Sequence, residues 1–134
     1  MQEKSGFEEL FSVMAASRKR CPWAKEMTIR ETAEYIVAEA KELLAEAEKN
    51  STEKMKDELG DVLAVSLFFA VLAEEKGYFS ISDSLKNAVE KFRRRKPWIF
   101  DEKIKVANAE EAVFRWNSAK QKEKDEKAAG QAAQ

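Results

Sequence analysis

Residues 57–73 read DELGDVLAVSLFFAVLA, so a cluster of acids stands directly before a long apolar run. Glu58 and Asp61 lie three residues apart, and no charged side chain occurs between Val62 and Ala73. At about 100° per residue, the apolar side chains of this segment cover almost the whole circumference of a helix. The segment therefore predicts a buried central α-helix that carries an acid pair near its beginning.

The rest of the chain also favours helices, because its 134 residues include only four Gly and two Pro and show little strand patterning. We predict an all-α bundle of about five helices. We assign residues 1–124 to one domain and expect residues 125–134, rich in Ala, Gln and charge, to be a disordered tail. The predicted helices span residues 6–20, residues 28–49 behind a capping box that starts at Thr28, a segment from Asn50 or Ser51 to Lys76, a segment from Ser80 or Ser82 to before Pro97, and residues 108–124.

A second acid pair, Glu39 and Glu42, lies in the helix before the apolar one. Because the connection between the two helices is short, we expect them to pack antiparallel and both acid pairs to lie at comparable depth. Two carboxylates about 4 Å apart repel by roughly 4 kcal/mol at an effective dielectric of about 20. A cation between the pairs would remove this cost; solvated outer faces remain the alternative for these acids.

The absence of histidine restricts the chemistry further. It excludes Ser-His-Asp triads, Cys-His proteases and every zinc site that contains histidine. The single cysteine, Cys21, cannot form an intrachain disulfide or a thiolate metal site. A catalytic metal would need mostly oxygen ligands, and such ligands select Mg²⁺, Mn²⁺ or Ca²⁺.

Basic residues form a second candidate cluster, with Lys91, Arg94 and Arg95 on one helical face. Arg binds phosphate in a bidentate manner and Lys binds it as a point charge, so the face predicts a triphosphate clamp. A solvated helix C-terminus is the alternative. Lys54, one turn before Glu58, could reach the same phosphates.

Five motifs in order resemble the MazG nucleoside triphosphate pyrophosphohydrolases, an all-α family. Together they cover nearly the whole chain. They are CPW at 21–23 with Thr28, AEAKE at 38–42, DELGD at 57–61, EKFRRRKP at 90–97 ending at Phe100, and WNSAK at 116–120.

The resemblance implies a Mg²⁺-dependent enzyme, with Mn²⁺ as a substitute, that converts a nucleoside triphosphate to a monophosphate and pyrophosphate. It also implies a homodimer that completes the helical bundle. The implied metal ligands and catalytic acids are Glu39, Glu42, Glu58 and Asp61, and the implied substrate-binding residues are Lys54, Lys91, Arg94, Arg95, Trp116 and Lys120.

The departures from the family pattern keep two alternatives open. Ala38 stands where the family usually has the first Glu of E-E-x-x-E, and Ala24 replaces a loop Asp. Lys96 and Trp98 replace the two His of R-R-H-P-H. The alternatives are a dUTPase-like pyrimidine nucleotide pyrophosphatase and a catalytically weak helical module that binds nucleotide or metal.

The expected surroundings of the protein follow from charge and hydropathy. Lys and Arg number 24 and Asp and Glu number 25, so we expect no general attraction to nucleic acid or membrane. The apolar run is shorter than the roughly 20 residues that span a bilayer. The polar beginning predicts no signal peptide, and the single cysteine suits a reducing cytoplasm.

Overall fold

The computed structural model describes residues 5–132, which are helical and contain no strand. The predicted all-α class is confirmed. The helices are α1 (Gly6–Arg20), α2 (Pro22–Glu26), α3 (Ile29–Glu48), α4 (Thr52–Glu75), α5 (Ile81–Arg95) and α6 (Ala109–Ala132), with a 3₁₀ turn at Pro97–Ile99. Residues up to Ser82 form one compact unit and residues from Asp83 form another.

Local side chains set where the helices of the first unit begin. Thr28 accepts a hydrogen bond from the backbone N–H of Glu31 at 3.1 Å, and the Glu31 carboxylate accepts one from the Thr28 N–H at 2.9 Å. This predicted capping box is confirmed, and Ser5 and Glu8 form a second one at the start of α1. Pro22 starts α2 where a loop was predicted, because proline suits the first turn of a helix.

The ends of α3 and α4 are closed by residues with positive φ. Gly77 has φ 72°, and the N–H of Tyr78 donates to the carbonyl of Ala73 at 2.9 Å. Asn50 repeats the arrangement with φ 54°, and the N–H of Ser51 donates to Glu46 at 3.2 Å. Both are Schellman closures, and the one at Asn50 reverses the chain between α3 and α4.

The core lies along the second half of α4, at Leu67, Phe68, Ala70, Leu72 and Ala73. Helix α4 packs against α3 and α1. Met14, Cys21, Met27 and Ile29 surround Phe68 and Leu72. The prediction of a buried helix holds for this half only, because Leu59 and Leu63 in the first half remain largely exposed.

The predicted end of the last helix near Lys124 is corrected, because α6 continues to Ala132. The expectation of a disordered tail at residues 125–134 stays a prediction. Ala, Lys, Glu and Gln are strong helix formers and no proline interrupts the segment. Residues 133 and 134 lie outside the described residues, and the assignment of 1–124 to one domain stays a prediction. No helix in the described part of the chain is long and apolar enough to cross a membrane.

One arginine ties three helices of the first unit together. The Arg18 guanidinium donates to the backbone carbonyls of Ala24, Lys25 and Met27 at 2.7, 2.8 and 3.1 Å. It also pairs with the Glu75 carboxylate at 2.9 and 3.0 Å. Arg18 therefore satisfies the carbonyls at the end of α2 and attaches that short helix to α1 and α4.

We predict that Arg18→Ala lowers the free energy of unfolding by about 2 kcal/mol, because the part-buried hydrogen bonds to the carbonyls of Ala24 and Met27 are lost. Chemical denaturation monitored by circular dichroism measures the change. Arg30→Ala is the matched control, since the Arg30 side chain is 89% exposed and, among the described residues, bonds Glu34 on its own helix. Equal effects of the two substitutions would contradict this role of Arg18.

Candidate metal-binding site

The antiparallel packing of α3 and α4 brings acids from both helices together. Glu39 comes from α3, and Glu58 and Asp61 come from α4. One carboxylate oxygen from each of the three lies within 4.8 Å of the other two. The expectation that the two acid pairs face one another is confirmed for these three residues.

Two oxygens of this group are enclosed without a partner. Glu39 Oε2 and Glu58 Oε2 are buried and accept no hydrogen bond from the described residues. Glu46 Oε2 is in the same state, but the other oxygen of Glu46 lies 3.7 Å from Lys49 Nζ. A buried carboxylate oxygen without a donor is costly, so Glu39 and Glu58 are suited to a positively charged ligand.

The same environment changes the acidity of these groups. Burial raises the pKa of Glu58 to about 7, assisted by a hydrogen bond with Glu42 and by the charges of Glu42, Asp61 and Glu39. Burial also raises the pKa of Glu39, followed by the charges of Glu42 and Asp61. Without a cation, the folded chain thus favours a proton on these acids.

Glu42, the fourth predicted ligand, lies at the edge of the group. Its side chain is exposed and is not among the three with mutually close oxygens. It is nevertheless near enough to hydrogen-bond with Glu58, and its charge raises the pKa of Glu39. The structure thus assembles three of the four predicted acids and places the fourth beside them.

The donor set agrees with a hard divalent cation. All available atoms are carboxylate oxygens, and the group combines two half-buried acids with the exposed Asp61. Mg²⁺ and Mn²⁺ prefer such oxygen ligands, and Mg²⁺ commonly keeps waters and substrate oxygens beside one or two carboxylates. Glu39, Glu58 and Asp61 can hold such an ion with solvent access on the Asp61 side.

An apolar pocket of about 230 Å³ opens next to the acids, and Glu39 forms part of its wall. Trp23 and Tyr35 also line it and meet edge to face, with ring centroids 6.2 Å apart. Trp23 is 66% exposed, so its ring is accessible at this pocket.

Ala38 lines a wider cleft of about 550 Å³ together with Trp23, Tyr35 and acids of α3. Ala38 therefore stands at an open surface beside the acid group. The acid that the family pattern usually has here would face this cleft.

The predicted phosphate-binding residues fall in both units. Lys54 is exposed on α4 in the first unit, and Lys91, Arg94, Arg95, Trp116 and Lys120 belong to the second. The two arginines are not unpaired, because both donate to Glu123 on α6. The Arg95 side chain is only 13% exposed and lies over the Trp116 ring, 5.0 Å from its centroid. Sequence reasoning missed Glu123.

Comparisons with known proteins identify the family and a similar fold. A family model described as the MazG nucleotide pyrophosphohydrolase domain matches residues 27–100. The crystal structure of a mazG-related protein from Thermotoga maritima superposes with a TM-score of 0.75 at 28% identity, covering 85% of this chain and 98% of that chain.

Curated relatives carry matching names. The nucleoside triphosphate pyrophosphohydrolase/pyrophosphatase MazG of Thermotoga maritima is 38% identical over 70% of this chain and 38% of its own length. The nucleoside triphosphate pyrophosphohydrolase of Escherichia coli is 33% identical over 81% of this chain and 41% of its own length. The chain thus spans less than half the length of these relatives. The chain belongs to the MazG nucleotide pyrophosphohydrolase family.

Proposed function

We propose that this chain is a Mg²⁺-dependent nucleoside triphosphate pyrophosphohydrolase. It would add water across the anhydride between the α- and β-phosphates and release a nucleoside or deoxynucleoside monophosphate and pyrophosphate. The observation that carries the proposal is the group of Glu39, Glu58 and Asp61, whose oxygens converge while two of them lack any donor among residues 5–132.

The acids supply the metal side of the reaction. Glu39, Glu58 and Asp61 would hold the cation, and Glu42 would complete or orient the set from its edge position. A bound divalent cation polarises phosphate oxygens and lowers the pKa of water. The apolar pocket beside Glu39 places surface of low polarity next to the acids, and this strengthens their electrostatic interactions.

The basic residues supply the phosphate side. Lys54 lies one turn before Glu58 on α4, so its ammonium group could neutralise phosphate charge near the acids. Lys91, Arg94, Arg95 and Lys120 of the second unit are proposed phosphate-binding residues, because they offer positive charge to phosphate oxygens. For the base, the pocket lined by Trp23 and Tyr35 provides an aromatic surface next to Glu39, and Trp116 is a further stacking candidate.

We also propose a homodimer located in the cytoplasm. Val37 and Leu44 on α3, and Leu59 and Leu63 on α4, are large apolar side chains left exposed on the two helices that carry the acids. A second copy that covered them would bury apolar surface and exclude water near the site.

A non-catalytic nucleotide- or metal-binding module is the second candidate. Ala38 favours it, because a methyl group stands at the open cleft beside the acids where the family usually places a carboxylate. A dUTPase-like pyrimidine nucleotide pyrophosphatase would use the same acids, and only a substrate panel separates it from a broader enzyme.

We predict that Glu58→Gln reduces pyrophosphate release by more than about 100-fold, because an amide is a poor ligand for a hard cation. The same substitution should preserve or raise the melting temperature of the metal-free protein, since it removes a buried charge without changing the shape. Pyrophosphate release would be measured over a panel of canonical and damaged nucleoside triphosphates with Mg²⁺ and with EDTA.

Glu53→Gln is the control, since Glu53 is exposed on the same helix and pairs with Lys56 in the described part of the chain. It should leave both quantities close to wild type. Turnover retained in Glu58→Gln would remove Glu58 from the site, and the absence of Mg²⁺-dependent turnover in the wild type would favour the non-catalytic module.

We predict that the metal-free protein becomes less stable as the pH rises from about 5 to about 8. The folded-state pKa of Glu58 is about 7, above its ordinary value of 4.5, so folding is favoured by proton binding and this contribution is lost as the pH rises through 7. Thermal unfolding over this pH range measures the effect. The dependence should weaken in Glu58→Gln, and millimolar Mg²⁺ should raise the melting temperature most at the high-pH end.

The opposite pH trend in the metal-free protein, or curves that Mg²⁺ does not change at any pH, would contradict a cation-binding role for these acids.

A further inference from the structure

Two neighbouring arginines of the second unit make different use of one carboxylate. Arg94 donates through Nε and Nη2 to the same oxygen of Glu123, at 3.1 and 2.8 Å. Arg95 donates through Nε alone to the other oxygen, at 2.9 Å. The terminal amines of Arg95 have no hydrogen-bond partner among residues 5–132.

The Arg95 guanidinium is held in a fixed orientation. Its Nε is tied to Glu123, and its flat face lies over Trp116. Trp116 is itself packed against Phe92, with ring centroids 5.4 Å apart. Trp116 and Glu123 are two turns apart on α6, so they lie on one face of the helix, and both contact the Arg95 guanidinium.

This arrangement leaves positive charge available. Two guanidinium groups against one carboxylate give the three residues a net charge of plus one, and Lys96 Nζ lies 5.4 Å from the Trp116 ring centroid. Arg94 is 51% exposed and directs Nε and Nη2 to Glu123, whereas Arg95 is 13% exposed and directs only Nε to it, which leaves both terminal amines of Arg95 for a ligand. The fork of a guanidinium that is held through Nε suits an oxyanion such as phosphate.

We infer that Glu123 is a positioning residue that orients Arg95 as the phosphate-binding arginine of the basic face, with Arg94 balancing the Glu123 charge. The inference rests on the proposed function, because it takes the ligand to be the phosphate chain of a nucleotide. It assigns different tasks to two arginines that the sequence treats alike.

Binding of inorganic tripolyphosphate in metal-free buffer tests this inference, because that probe reports the basic face without the acid group. By titration calorimetry we expect Glu123→Ala and Arg95→Ala each to weaken binding about fivefold or more. The double variant should bind no more weakly than Arg95→Ala alone, because Glu123 acts through Arg95. Glu126→Gln, an exposed acid one turn further along α6, is the control.

With nucleotide as substrate, Glu123→Ala should raise KM and leave kcat nearly unchanged. Glu123→Gln keeps the shape and an acceptor oxygen, so it should fall between Glu123→Ala and wild type; it also serves as the folded variant if Glu123→Ala loses its helical circular dichroism signal. Tripolyphosphate binding that is absent in the wild type, unchanged or tighter in the Glu123 variants, or additive in the double variant would overturn the inference.

The two proposals fail separately. If no nucleoside triphosphate is hydrolysed while tripolyphosphate binding still requires both Glu123 and Arg95, the proposed reaction is wrong and the positioning role stands.

Discussion

Repulsion among the carboxylates of Glu39, Glu58 and Asp61 opposes the packing of α3 against α4. The two helices bring these oxygens within 4.8 Å of one another, and two of them are enclosed without a donor. Either a proton or a cation can reduce this negative charge. The raised pKa of Glu58 means that the metal-free fold favours a proton on this acid. The proposed metal affinity and the predicted pH dependence of the metal-free protein therefore have one electrostatic cause.

The core and the acids occupy different halves of α4. Its second half carries the core around Phe68 and Leu72, and the Schellman closure at Gly77 fixes its end. Its first half carries Glu58 and Asp61 with less apolar cover. Arg18 fastens α2 to the core end and so supports the segment that presents Trp23 next to the acid group. Core packing in the second half of α4 thus offsets the cost of placing Glu58 and Asp61 close together in its first half.

The sequence predicted what depends on nearby residues. It gave α1 as residues 6–20, the capping box at Thr28, and the facing acid pairs, because caps, apolar spacing and one short turn determine them. It could not predict the pairing of Arg95 with Glu123, since that contact joins residues 28 apart and depends on how α5 and α6 pack. The predicted end of the last helix near Lys124 was wrong for a local reason: Ala, Lys, Glu and Gln favour helix, and α6 continues to Ala132.

Titration of Mn²⁺ into metal-free protein by calorimetry measures whether Glu39, Glu58 and Asp61 bind a divalent cation. We expect saturable binding to the wild type that is lost in Glu39→Gln, because that substitution removes a ligand from α3 and leaves the α4 acids in place. Glu34→Gln, an exposed acid of the same helix, should bind like wild type. No saturable binding to the wild type, or equal binding in Glu39→Gln, would contradict a cation-binding role for these three acids.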